Sequence, residues 1–300
     1  MEEKAYDSYI RAGEIAKQVM QEGLEKIRDG EELLNVADYI ENKINELGGK
    51  PAFPVNISID DIAAHYSPTA WDESVFSEGD MVKLDIGVHI NGYIADMAKT
   101  KVIGSSEDNE LMMAAEEALK SAIDIIKPGV KTNEIGEVVD TAIKEFNLKP
   151  IENLTGHKLD RFSLHGGITI PNIRTRHGDT IYEGDVFAIE PFSTSGFGRV
   201  VEKQEAIIFK YVKDKPMRTR EARILLNYVK KNFSSLPFAE RWVAKLMPRH
   251  RLYIALRQLS YAGALYTYRI LREKERAKVA QAEHTVIITG EGCEVITGEI

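Results

Sequence analysis

Met81-Val82-Lys83-Leu84-Asp85-Ile86-Gly87-Val88-His89-Ile90-Asn91-Gly92-Tyr93-Ile94-Ala95-Asp96-Met97-Ala98-Lys99-Thr100 is the stretch on which the reading of this chain turns. Asn91-Gly92 between two alternating apolar runs is a strong hairpin signal, because a type I′ turn requires positive φ at both central residues. With those two residues in the turn, Ile90 pairs with Tyr93, Val88 with Ala95 and Asp85 with Ala98. Asp96 then lies opposite Gly87, on the face of Asp85 and diagonal to it. Diagonal neighbours are roughly 7–8 Å apart at the backbone, so two carboxylates there can converge on one cation. Val82, Leu84, Ile86, Val88 and Ile90 form the opposite, core-facing side. Taken alone, the acidic face reads more simply as solvated, and the rest of the chain has to decide.

Composition sets the outer bounds. The 300 residues suffice for one large domain or two small ones. A net charge of −8 argues against nucleic acid as the main partner. The charge is uneven: Lys213 to Arg257 holds twelve Lys and Arg against three Asp and Glu. The single cysteine, Cys293, excludes an internal disulfide and suits a reducing compartment. Met1-Glu2-Glu3-Lys4 is acidic with no apolar run behind it, unlike a signal peptide. No stretch approaches the ~18 apolar residues of a membrane span. The expectation is a cytoplasmic protein without a membrane partner, and nothing in the sequence demands an oligomer, so a monomer is expected.

Apolar residues at steps of three and four predict helices at about 6–27, 32–47, 107–126 and 132–146. Short strand-like runs fall at Thr155–His157, Phe162–His165, Ile181–Phe192 and about 200–210. A basic, helix-rich segment follows, and Glu283–Ile288 with Cys293–Ile296 predicts a terminal hairpin. An internal repeat organises these elements. Glu78-Gly79-Asp80, with Asp85 seven residues beyond the Glu, echoes Glu183-Gly184-Asp185, with Glu190 at the same distance. Upstream, Ile27-Arg28-Asp29-Gly30 and its helix echo Ile126-Lys127-Pro128-Gly129 and its helix. Two halves, each of two helices and an acid-bearing strand, predict an α+β fold. Its sheet is pseudo-symmetric, with the helices on one side and a site between the halves.

The candidate ligands are Asp85, Asp96, His157, Glu190 and Glu283, with the acids in apolar local sequence. A buried carboxylate is costly unless paired or metal-bound, and four together need cationic compensation. Oxygen-rich ligation with one imidazole suits two divalent ions (Mn, Fe, Co or Zn) in an open catalytic geometry. Such a pair lowers the pKa of a water and polarises a carbonyl, which is hydrolytic chemistry. Of the other histidines, His89 near the turn, His177 and His250 read as solvated. His284 points away from the face of Glu283, whereas His65 and His165 sit in small-residue contexts suited to a pocket wall.

Six stretches together resemble the type II methionine aminopeptidases, in the short archaeal form. They are Ala52-Phe53-Pro54 with Ala64-His65-Tyr66-Ser67-Pro68, Leu84-Asp85-Ile86-Gly87 through Ala95-Asp96, Asn153-Leu154-Thr155-Gly156-His157, Leu164-His165-Gly166-Gly167, Ala188-Ile189-Glu190-Pro191-Phe192 and Glu283-His284-Thr285. The likeness runs over essentially the whole chain. It implies the pita-bread fold, whose pseudo-two-fold agrees with the repeat, and a dinuclear centre. Asp85 and Asp96 would hold one metal and His157 and Glu190 the other, with Asp96 and Glu283 bridging. A bridging hydroxide would attack the carbonyl of an N-terminal Met, Glu190 would shuttle the proton, and His165 would bind the carbonyl oxygen. His65 would contact the scissile nitrogen or the next amide, and Phe53, Leu164, Phe192 and Tyr268 would line the methionine pocket. Thr155, where Asn is common, and the loop Asn172–Asp179 depart from the pattern without touching the ligands.

The segment 217–265 resembles the helical insert of the type II enzymes, the catalytic domain being 1–216 and 266–300. Leu225, Leu226, Val229, Trp242, Val243, Leu246, Leu252, Ile254 and Leu256 would give it a small core. Its positive charge is either a solvated basic face or a surface for transient proximity to the ribosome, where nascent substrates emerge. Two other readings stay open at this stage: a proline-directed peptidase of the same fold, and a catalytically dead binding protein. The first normally carries an extra N-terminal domain, and here only about fifty residues precede Phe53; the second typically loses ligands, and this chain keeps all five.

Overall fold

The first hairpin takes the expected register. In the computed structural model, which describes residues 1–105 and 109–298, strands Met81–Ile90 and Tyr93–Val102 pair with Ile90 opposite Tyr93, Gly87 opposite Asp96 and Asp85 opposite Ala98. Asn91 and Gly92 have φ of 52° and 91°, the signs a type I′ turn needs. The helices run Glu3–Lys26, Leu33–Glu46, Glu110–Ile125 and Thr132–Glu145. Residues 107 and 108, where the third helix was expected to begin, lie outside the described residues.

The repeat is visible in the hydrogen bonds. Asp80 Oδ2 accepts from Ser77 N at 2.8 Å and Asp185 Oδ2 from Tyr182 N at 2.9 Å, closing matched turns around Gly79 and Gly184, with φ of 84° and 86°. Gly30 N donates to Phe76 O and Gly129 N to Ile181 O, both at 2.9 Å. Each half then buries its helices against its own strands. Ile15, Val19, Ile40 and Ile44 pack with Leu84, Ile86 and Val88; Ala118, Ile135 and Val139 pack with Phe187, Ile189 and Val286. At about 1.5–3 kcal/mol per fully buried large aliphatic side chain, these two cores hold each helix pair on its sheet.

The ladders are all antiparallel. Around the first hairpin lie Asn56–Ile59 and the short Lys50–Pro51. In the second half the order is Cys293–Val295, His284–Ile288, Val186–Ile189, Thr155–Lys158, Thr169–Pro171. The halves meet at a bridge between Ala98 and Glu283, with N–H···O distances of 3.0 and 3.4 Å.

Several expectations need correction. Phe162–His165 is not a strand; only an isolated bridge, Asp160 to Ser163, forms there. The run Ile181–Phe192 yields Val186–Ile189, breaks at Glu190-Pro191 and resumes at Phe192–Thr194, since proline has no N–H for the ladder. The second face of the hairpin is buried too: Lys83 is fully buried, its Nζ donating to Asp60 O and Val279 O at 2.9 and 2.8 Å. Leu265–Glu273, not read as a strand, pairs with Val200–Tyr211. Within 217–265 the helices Arg220–Phe233 and Arg249–Tyr261 share a core with Phe209 and Phe238. Ile254 is not part of that core: Leu252, Ala255, Leu256 and Leu259 form the buried helical face, and Ile254 projects from the other side.

A buried ion pair ties this segment to the first half. Glu41 accepts from Arg241, Val55 N and Trp242 Nε1, while Arg241 Nη1 also donates to Ser67 Oγ at 2.6 Å and Pro68 O at 3.0 Å. Removing one partner strands a buried charge, whereas removing both does not. Arg241→Met is expected to cost about 3–5 kcal/mol in urea unfolding, and the double variant Glu41→Met/Arg241→Met distinctly less. A double variant worse than either single one would refute the pairing.

Candidate metal centre

Strand register brings the five candidate ligands together from both halves. Asn56 pairs with Asp85, Asp85 with Ala98, and Ala98 with Glu283, so one row across the sheets carries two of the acids. In the adjacent row Thr285 pairs with Ala188 and Ala188 with His157. Asp96 is locked to this row by Thr285, whose Oγ1 accepts from Asp96 N at 2.7 Å and donates to Asp96 O at 2.8 Å. Glu190 sits where Pro191 ends the central strand of the second half, which frees its side chain to turn into the site.

His157 Nε2 lies 3.7 Å from Asp96 Oδ2 and 3.5 Å from Glu190 Oε1. Single ligand atoms of Asp96, His157 and Glu283 fall within 4.8 Å of one another. Gln281 Nε2 holds Glu283 Oε2 at 3.0 Å and Asn56 Nδ2 approaches Asp85 Oδ2 at 3.5 Å. The remaining oxygens Asp85 Oδ1, Asp96 Oδ1 and Glu283 Oε1 are buried without a hydrogen-bond partner. Orphaned buried acceptors facing one another are a poor protein interior and a good cation site. Oxygen donors with one imidazole fit divalent ions of the Mn, Fe, Co and Zn group.

The electrostatics say the same. Burial raises Asp85 to about 7; burial, then Asp85, drives Asp96 well above the usual carboxylate range. Glu190 and Glu283 are raised well above it by burial and then by their acidic neighbours. Burial lowers His157 to about 3, leaving the neutral imidazole a metal requires.

All eleven anticipated site residues line one cavity of about 200 Å³. Phe53, Leu164 and Phe192 are its buried apolar wall, and Tyr268 stacks near His165 with ring centroids 6.1 Å apart. Gly87 leaves room for Phe53: a Cβ there would stand 2.2 Å from the ring. The His165 ring is at the exposed rim, 4.5 Å from that of His157; lost hydration, then Lys210, lowers its pKa. His65 Nδ1 is 3.1 Å from Arg269 O; a carbonyl only accepts, so Nδ1 bears the proton and Nε2 is left as an acceptor. Burial keeps that ring neutral as well.

Asn56, Gln281 and Thr285 were missed as supporting residues. The signal was there for the last two, which flank Glu283 at two residues' distance on the same strand face. His89 is not solvated: Phe162 covers it, its Nδ1 accepts from Gly92 N at 3.1 Å, and burial lowers its pKa to about 4. His177 and His250 are exposed as expected, and His284 turns away to Thr297 at 2.8 Å.

Comparison with known proteins agrees with this geometry. Residues 7–290 match metallopeptidase family M24. The methionine aminopeptidase of Thermococcus onnurineus is 50% identical over 292 residues, spanning 97% of this chain and 99% of its own. The solved methionine aminopeptidase of Thermotoga maritima superposes with a TM-score of 0.73 at 22% identity, covering 100% of this chain and 98% of that one. A thermophilic Arx1 superposes at 0.86 with 18% identity, covering 100% and 92%. The two solved structures share the pita-bread fold with this protein. The chain belongs to metallopeptidase family M24, whose members use divalent metal.

The raised carboxyl pKa values give a stability test. Groups raised in the folded state stabilise the metal-free protein while protonated, and that contribution is lost as pH rises toward and through about 7 for Asp85. In EDTA the melting temperature should therefore fall as pH goes from about 5 to 8, and saturating Mn²⁺ should restore roughly 5–10 °C at the upper end. Parallel melting curves with EDTA and Mn²⁺ across that range would count against a cation site.

Proposed function

We propose that this M24 metallopeptidase is a methionyl aminopeptidase that removes the N-terminal, initiator methionine from nascent proteins and peptides. One observation carries the reading: four carboxyl groups and the imidazole of His157 face a cavity whose other wall is Phe53, Leu164 and Phe192. In this reading Asp85, Asp96, His157, Glu190 and Glu283 would together hold two divalent ions. Bound there, the ions would supply a water of lowered pKa and polarise the scissile carbonyl.

The chain's own groups do the rest. Glu190, whose carboxyl is raised by burial and by Asp96, takes a proton at a carboxylate oxygen and returns it to the leaving amine. His165, at the rim, donates to the carbonyl oxygen as charge develops on it. His65, held by Arg269 O with its Nε2 free, accepts the N–H of the residue beyond the scissile bond. The apolar wall takes the methionine side chain and excludes a charged one, which would lose its hydration there. Tyr268 closes the side of the cavity between the two histidines.

The surroundings fit this role. Segment 217–265 is an insert subdomain on a catalytic body formed by 1–216 and 266–300, and its basic surface allows transient ribosome proximity without a specific nucleic acid. Among the described residues, no helix is long and apolar enough to cross a membrane. The enzyme is taken to work in the cytoplasm as a monomer.

Purified protein with Mn²⁺ or Co²⁺ should release Met from Met-Ala-Ser and leave Xaa-Pro peptides intact. Asp96→Ala should abolish release, and His165→Ala should lower kcat by about a hundred- to a thousandfold. Failure of the wild type to release Met, or survival of activity in Asp96→Ala, would sink the reading. Co-sedimentation with ribosomes should weaken steeply between about 50 and 200 mM salt; salt-insensitive binding would rule out the electrostatic attraction.

A further inference from the structure

One strand beside the catalytic cavity has an unpaired edge. Leu265–Glu273 pairs on one side with Val200–Tyr211 from end to end. On its other side it pairs with Ile62–Ala64, and only at Leu271 and Arg272. There the covering chain departs: His65 has φ of 65°, and Tyr66 O already accepts from Ile57 N at 2.8 Å, back toward the first sheet. Among the described residues, no strand pairs with Leu265–Arg269 on that side.

His65 shows which way the free edge faces. Its Nδ1 reaches Arg269 O at 3.1 Å, so the Arg269 carbonyl points away from Val200–Tyr211. Backbone groups alternate along a strand, so Thr267 and Leu265 present their N–H and C=O to the same side. A cavity of about 250 Å³ borders this strand at Tyr266, Thr267 and Arg269 and extends over the sheet face to Val200 and Glu202 of the paired strand. It shares His65, Asn153 and Tyr268 with the cavity that holds the candidate metal ligands.

We propose that this edge is the binding site for the substrate main chain beyond the scissile bond, which docks as an added strand on Leu265–Arg269. The proposal rests on the aminopeptidase reading. A polypeptide with its first carbonyl in the metal cavity has to pass His65, and the neighbouring cavity, which shares the His65 and Tyr268 wall, leads it on to the strand. Five residues at about 3.3 Å each accommodate roughly four or five substrate residues. Strand addition draws affinity from main-chain hydrogen bonds, so it tolerates many downstream side chains. That is the recognition an enzyme needs if its substrates share only their first residue.

The test uses wild-type enzyme with Mn²⁺ and two sets of peptides. In the first, Met-Ala-Ser is extended by one residue at a time. The value of kcat/KM should climb about tenfold overall and level off at four or five residues beyond the scissile bond, as expected for a few added backbone hydrogen bonds. In the second, single N-methyl groups are moved along the longest peptide. Losses of about three- to tenfold should fall at alternate residues only, because every second N–H faces the enzyme strand. A flat length series, or N-methyl losses at consecutive residues, overturns the proposal while leaving the aminopeptidase reading intact. No Met release from Met-Ala-Ser itself overturns both. A concentration-dependent dimer that masks the length effect would assign the edge to a second copy of the chain and overturn the proposal.

Discussion

Mutual repulsion among Asp85, Asp96, Glu190 and Glu283 is the constraint on which this structure turns. Four carboxyl groups are gathered in a largely dehydrated space; burial raises all of them, and acidic neighbours raise Asp96, Glu190 and Glu283 further. No packing of apolar side chains resolves that conflict; only protons or cations do. The architecture concentrates the conflict at one point. Each apolar core is built chiefly from one half, with Leu159, Val186 and Ile287 of the second half joining the first core, and the acids are placed where the halves touch, at Ala98–Glu283 and Asp96–Thr285. Rigidity comes from the sheets, so the ligand directions are set by register and not by the cations.

The supporting contacts share a logic. Gln281 and Asn56 each hold one carboxylate oxygen of Glu283 and Asp85 and leave the other free, while Thr285 holds Asp96 by its backbone N–H and C=O and leaves Asp96 Oδ1 free. The polarity of the site is thus divided between atoms committed to the protein and atoms reserved for a cation. A second division separates chemistry from framework. The buried Glu41–Arg241 pair fixes Val55, Ser67 and Pro68, the segments on either side of the loop that carries His65.

Much of this was legible in the chain. Asn91-Gly92 specified the hairpin register, because only one pairing puts positive φ at both turn residues, and the Glu-Gly-Asp repeat disclosed the symmetry through local hydrogen bonds. Those are short-range signals. The failures were long-range ones. His89 reads as solvated in the sequence because nothing near it covers it; Phe162 does so from far along the chain. Leu265–Glu273 escaped notice because its neighbours in sequence are helical and its ladder partner lies more than fifty residues upstream. Ile254 was assigned to a core by its type alone, when its position around the helix put it outside.

The meeting of Ala98 and Glu283 also bears on how the molecule comes into being. Their contact closes a loop of 184 intervening positions, and the entropy of such closure must be met before any ligand geometry exists. A chain elongating from its N-terminus can complete the first hairpin early, since that pairing is local. It then holds Asp85 and Asp96 for the whole interval in which the second half is being made. Competence arrives late and all at once, when the last strands dock, so no partially synthesised form of this protein has a working centre to act prematurely on other chains.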